Sequence, residues 1–169
     1  MKTIKKSLLA LLLFVMPFGV AQAQSKVAHI EVQKLVSEMP EVIAAQKEIE
    51  KLQKTYEADF EASYKEFQTK MQNYAADAEN QTELINQRRQ TELETLRQNL
   101  EQFQQTAGQD IQKKQMDLMR PLYEKARNAI EKVAGVQGYE YVLDSSNGGS
   151  VIIAKGKDLM ADVKKELGF

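Results

Sequence analysis

The 169-residue chain contains one histidine, His29, and no cysteine. This excludes thiolate nucleophiles, thiolate metal sites, disulfides and a lipidated cysteine anchor. A lone histidine also falls short of the imidazole sets that hold metals. Asp144, Ser145 and Ser146 could join His29 in a nucleophilic triad. A triad is a geometric arrangement, however, and nothing in their spacing builds one. There is no glycine-rich phosphate loop. The sequence therefore reads as a non-enzyme that needs no cofactor and no metal. Two other groups are better placed to make contacts. Arg88 and Arg89, with Arg97, are candidates for contact with an anionic group. Tyr56, Phe60, Tyr64, Phe67, Met71 and Tyr74 recur at helical spacing and share one face. Such a stripe is mostly seam. Yet two paired helices cannot enclose rings this large, so part of each stays open to bind unfolded apolar chains.

The elements that carry these residues follow from the pattern. Residues 1–23 read as a secretory signal peptide: Lys2, Lys5 and Lys6, then an apolar run from Leu8 to Val15, then Ala21-Gln22-Ala23 as the cleavage site. The run is too short for a membrane span, which needs about 20 residues. Cleavage after Ala23 removes three lysines and no acid. It leaves 20 basic against 24 acidic side chains, a net charge of −4. That balance argues against a nucleic-acid partner.

Lys26–Val32 reads as a short strand and residues 33–36 as a turn of helix. Pro40 suits the first position of a helix, where its missing N–H costs nothing. Val42, Ala45, Ile49 and Leu52 continue into the aromatic stripe, with no Pro or Gly from Glu41 to Ala76. Asn80 and Glu83 have capping-box spacing at the start of a second helix, Gln81 to about Val136. Its apolar stripe includes Leu93, Leu96, Leu100, Phe103, Ala107, Ile111 and Leu118. Pro121 is expected to kink it. An antiparallel hairpin folded about Asn80 pairs Phe67 with Leu93, Tyr56 with Phe103, Leu52 with Ala107 and Val42 with Leu118. Every facing pair is apolar, so the two helices read as an antiparallel coiled coil. The stripe from Leu122 to Val133 has no partner in the first helix and must pack elsewhere.

Gly135 and Gly138 read as the helix stop. Tyr139–Asp144 and Ser150–Ala154 read as strands of a hairpin around Asn147-Gly148. A last amphipathic helix is expected over about Lys157–Leu167. The expected fold is mainly α with a small β region (α+β): residues 24–39 and 121–169 form a β body, and residues 40–120 a projecting helical hairpin. A body this small is marginal alone. It is expected to oligomerise through Ile30, Val142, Leu143, Val151 and Ile153.

The segments VQKLVSEMPE and AQKEIE at the start, and YVLDSSNGGSVIIAKGKDLMADVKKEL at the end, resemble the Skp (OmpH) family of periplasmic chaperones. The resemblance spans the chain after the signal peptide. It implies a periplasmic homotrimer whose hairpins surround a cavity that holds unfolded outer-membrane β-barrel proteins without ATP. It also implies a lipid or lipopolysaccharide contact, for which Arg88 and Arg89 are the clustered candidates. The best-known members are strongly basic, whereas this chain is at −4. The alternative reading is an exported coiled-coil spacer or adaptor of the cell envelope.

Overall fold

The computed structural model describes residues 25–147 and 151–169. The signal peptide and cleavage point lie outside these residues, as do positions 148–150 of the expected turn. The elements are β1 (Val27–Ile30), α1 (Val32–Glu38), α2 (Pro40–Ala76), a 3-10 turn (Ala78–Asn80), α3 (Glu83–Gln137), β2 (Tyr141–Asp144), β3 (Lys157–Asp158) and α4 (Met160–Leu167). The fold is α+β, dominated by helix.

Pro40 stands in the first turn of α2, which then runs 37 residues, about 55 Å at 1.5 Å per residue. The cap of α3 is Thr82, not Asn80. Thr82 adjoins the first helical residue, and its Oγ1 accepts the Ile85 N–H at 3.3 Å. Asn80 is held in the preceding turn, donating to Asp77 at 3.4 Å. Helix α3 continues through Pro121, and Lys125 still pairs with Glu41 of α2 beyond it. One lost donor within 55 helical residues does not end the helix. Gly135 is internal, and the stop is Gly138 alone, at φ 72°. There the Tyr139 N–H reaches Ala134 O at 2.9 Å, closing the turn in the way a left-handed glycine allows.

The sheet corrects the expected strand pairing. β1 is central, in the order β2-β1-β3, and both neighbours run parallel to it. Val151–Ala154 is not a strand, and among the described residues β2 pairs with β1 alone. The third strand is Lys157–Asp158, on the far side of β1, and α4 begins only at Met160. β1 offers two free edges, and the chain crosses over to fill the second. Gly156 permits that approach, since a Cβ there would lie 3.3 Å from Val27 O.

The core is built around β1. Ala28 and Ile30 pack with Leu35 and Val36 of α1, Met39, Val42 of α2, Ala126, Ala129 and Val133 of α3, and Leu159 and Val163 near and on α4. The unpartnered stripe of the second helix thus packs in the body, with Leu122 and Ile130 at its margin. β2 also caps α1 from outside. Asp144 Oδ1 accepts the Val32 N–H at 3.2 Å, and Ser146 Oγ accepts the Gln33 N–H at 3.1 Å. Glu31, at the cap position itself, supplies no side-chain bond.

Candidate functional site

Burial divides the hairpin into two parts. Near the body Val42, Ala45, Ile49 and Ala107 are buried. From residue 50 to residue 106 no residue is. The aromatic row lies in that distal part. Tyr56 meets Phe103 edge-on with ring centroids 5.8 Å apart, as the antiparallel register requires. Phe60 stacks on Tyr64 at 5.9 Å, and Tyr64 on Phe67 at 6.4 Å. Tyr64 and Met71 are each 44% exposed, while Tyr56, Phe60, Phe67 and Tyr74 are half-buried. The structure therefore brings all six residues to one continuous, incompletely covered face.

Polar ends fix two of the rings. Tyr56 donates to Asp110 at 2.7 Å and Tyr74 to Glu92 at 2.8 Å, both across the hairpin. These carboxylate acceptors push both phenols above their ordinary range. Lys70 joins Glu92 at 2.7 Å. These cross-hairpin anchors were not identified from the sequence. Their signal was the register itself, which sets polar residues beside the seam opposite one another.

Two of the three candidate arginines are engaged by carboxylates of the hairpin itself. Arg89 lies over the Tyr74 ring, 4.7 Å from its centroid, and donates to Asp77 at 3.0 Å. That bond holds the Asp77 carboxyl below its ordinary value. Arg97 is bracketed by Glu94 at 2.7 Å and Glu101 at 2.6 Å. Among the described residues only Arg88 of the three makes no ion pair.

In the body, Ile30 is already buried in the chain's own core. Val142 and Val151 are partly covered, and Leu143 and Ile153 are 44% and 72% exposed. Val27, Tyr141 and Ile152 are exposed beside them. A groove of about 660 Å³ lies between β2 and α3, lined among others by Tyr123, Arg127, Ile130, Tyr139 and Val142. His29 Nδ1 is 3.3 Å from Ser145 Oγ. Asp144 bonds the Val32 N–H and Ser146 rather than His29, so among the described residues no triad is assembled. Among the described residues no cluster of three metal-ligating side chains occurs, and no helix is long and apolar enough to cross a membrane.

The family model described as outer membrane protein (OmpH-like) matches residues 26–167. Chaperone protein Skp of Pectobacterium atrosepticum is 23% identical, over 86% of this chain and 87% of that protein. Chaperone protein Skp of Photorhabdus luminescens is 24% identical, over 87% and 88%. Chaperone protein Skp of Yersinia enterocolitica is 25% identical, over 85% and 86%. The match runs from β1 through the whole hairpin to the end of α4, and on that ground the chain belongs to the OmpH-like outer membrane protein family.

Proposed function

We propose that this protein is a periplasmic chaperone of outer-membrane proteins: an ATP-independent holdase that keeps unfolded β-barrel chains soluble between hairpins of a homotrimer. The observation that carries this is the distal hairpin. It extends far beyond the core, buries none of residues 50–106, and still presents a row of large apolar side chains. The rings hold the seam together and still leave apolar surface uncovered on its flank. A surface for unfolded chains needs spread apolar area and adaptable side chains, which aromatic residues and Met supply. The proposed contacts are Tyr56, Phe60, Tyr64, Phe67, Met71 and Tyr74.

Assembly is proposed through the body. A three-stranded parallel sheet of four, four and two residues exposes Val27, Tyr141 and Leu143, and the following segment exposes Ile152 and Ile153. Covering this apolar face removes it from water. Leu143 on that face, with Val151 and Ile153 of the following segment, are the proposed contacts, whereas Val142 and Ile30 face the chain's own core and support the sheet from within.

The test is dilution of a denatured outer-membrane β-barrel into buffer containing the protein, followed by light scattering. The holdase reading expects suppression of aggregation at stoichiometric ratio without nucleotide. A passive spacer leaves scattering unchanged. For a client without net charge, protection persists to about 0.5 M salt, where the Debye length is only a few Å. Loss of nearly all protection there would instead assign capture to Arg88, Arg89 and the lysines.

A further inference from the structure

The sheet is one strand short on the side of β2. In the order β2-β1-β3, β2 pairs with β1 alone among the described residues, so its outward N–H and C=O groups meet no strand. Helix α3 reaches past that edge. Tyr123, Arg127, Ile130 and Ala134 recur at steps of four, three and four and form one wall of the groove of about 660 Å³. The other wall is Val142 with Glu140 and Asp144, on the inner face of β2. A strand added to the free edge would lay alternate side chains over this stretch of α3 and complete the layer.

The chain also carries a strand-like segment with no place in its own sheet. Val151–Ala154 is β-branched at three of its four positions, yet it pairs with nothing among the described residues. Ile152 is 96% exposed, more than any other large apolar side chain described, and Ile153 is 72% exposed. The chain cannot lay this segment on its own β2 edge. A strand outside β2 would stand three strand spacings from β3, about 14 Å. Ala154 is three residues before Lys157 of β3, and three steps span at most about 11 Å. Gly156 is also held against Val27 O, which shortens the reach further. A second copy of the chain has no such tether.

We propose that Val151–Ala154 of each copy adds as a strand to the free edge of β2 in the next copy, with Ile152 seated in the groove between β2 and α3. Side chains alternate along a strand, so Val151 and Ile153 then fall on the outer face with Leu143, and Ile152 on the inner face with Val142. Lys155, next along the arm, comes to a rim that carries Glu124 and Glu140, while Arg127 of the groove is engaged by Glu131. The arm is thus apolar and cationic, and the groove apolar and acidic. Each copy gives one arm and receives one, a head-to-tail contact of the kind that closes into a ring. This rests on the proposed assembly through the body and supplies its direction.

The experiment uses the full mature protein carrying Val142→Cys and Ile152→Cys, singly and together, since the chain has no other thiol. Each variant is treated with a short bis-maleimide at micromolar protein concentration and resolved by denaturing electrophoresis. The double variant is expected to give chains linked in twos and threes. Neither single variant should link to itself, because a head-to-tail contact sets position 152 of one copy against position 142 of the next. The two single variants, denatured and refolded together, should again give linked pairs. Ile152→Asp supplies an independent measure. Ile152 is open in the single chain, so the substitution leaves the fold of each copy intact, which circular dichroism checks. It should raise the protein concentration needed for half-assembly by about 100-fold or more, because it sets an unpaired charge in an apolar groove.

A wild type that sediments as single chains overturns both this inference and the assembly reading. An oligomer in which positions 142 and 152 link only within one chain, or not at all, overturns the exchange and leaves assembly through the outer face of the sheet standing. An oligomer that Ile152→Asp leaves whole does the same. Linking of position 152 to itself would mark a two-fold contact in place of the head-to-tail one. If position 142 links instead to a denatured β-barrel that carries one cysteine, the client fills the groove and the exchange falls.

Discussion

Alanine substitution along the aromatic row should show many small effects and no dominant one. Full burial of a side chain such as Tyr or Met is worth about 1.5–3 kcal/mol. Tyr64 and Met71 are each 44% exposed, so slightly less than half of their surface remains for a client to cover. That leaves roughly 0.7–1.3 kcal/mol at each, before the side chain and the client segment lose freedom on binding. Each single change, Tyr64→Ala, Phe67→Ala or Met71→Ala, should therefore weaken client binding by less than about 1 kcal/mol, or about fivefold. The triple variant should lose more than any single change, up to about 3 kcal/mol or about 150-fold, a ceiling because Tyr64 and Phe67 are in contact and their losses need not add. The assay is titration of a labelled unfolded β-barrel protein by fluorescence, with aggregation followed in parallel by light scattering. Oligomer mass and thermal unfolding of each variant separate lost binding from lost fold. A single substitution that abolishes binding would mean a discrete pocket with a few dominant residues. A triple variant that holds clients as well as wild type would remove the aromatic row from the mechanism.

Three further outcomes follow from the fold. Cysteines at Leu52 and Ala107 should oxidise to a disulfide within one chain, since the register marked by the Tyr56–Phe103 contact sets them opposite and the chain has no other thiol; denaturing electrophoresis before and after reduction checks this. Gly108→Ala should stabilise the hairpin by about 0.5–1 kcal/mol in thermal unfolding, because the position is helical and nothing lies within 4 Å of the added Cβ. Asp144→Ala should destabilise the body by about 1 kcal/mol or less at neutral pH, since it removes the acceptor that caps α1. Burial raises the Asp144 carboxyl, but hydrogen bonds from Ser146 and the Val32 N–H outweigh it and hold the group below its ordinary value of 3.8. Its contribution is thus fully present above about pH 4 and lost as pH falls through the lower folded-state value, so the difference between variant and wild type should shrink in acid.

The helices were legible because their signal is long and repetitive. An unbroken stripe from Val42 to Tyr74 and a second from Leu93 to Leu118 fix both the elements and their register, and Tyr56 meets Phe103 as that register demands. The sheet was not legible in the same way. Val151-Ile152-Ile153 has the β-branched composition of a strand and follows Asn-Gly, the usual mark of a hairpin. Yet its pairing depends on which edge of β1 the chain can reach, and local propensity does not encode that. The strand that does form, Lys157–Asp158, is two residues long and carries no period for a pattern to detect. Thr82 and Asn80 are both competent caps, and only the turn geometry decides between them. At the site, the apolar face was readable from spacing, whereas the neutralisation of Arg89 by Asp77 was not, because that pair forms only once the hairpin closes.

Mass measurement of the mature protein, alone and with one unfolded outer-membrane β-barrel, tests the central claim most directly. Native mass spectrometry or light scattering coupled to gel filtration at micromolar concentration reads both assembly and capture. The account predicts three chains per particle without client, and the same three chains plus a retained client after mixing. A particle of one chain that gains no client mass would contradict both the assembly of the body and the holding role of the hairpin.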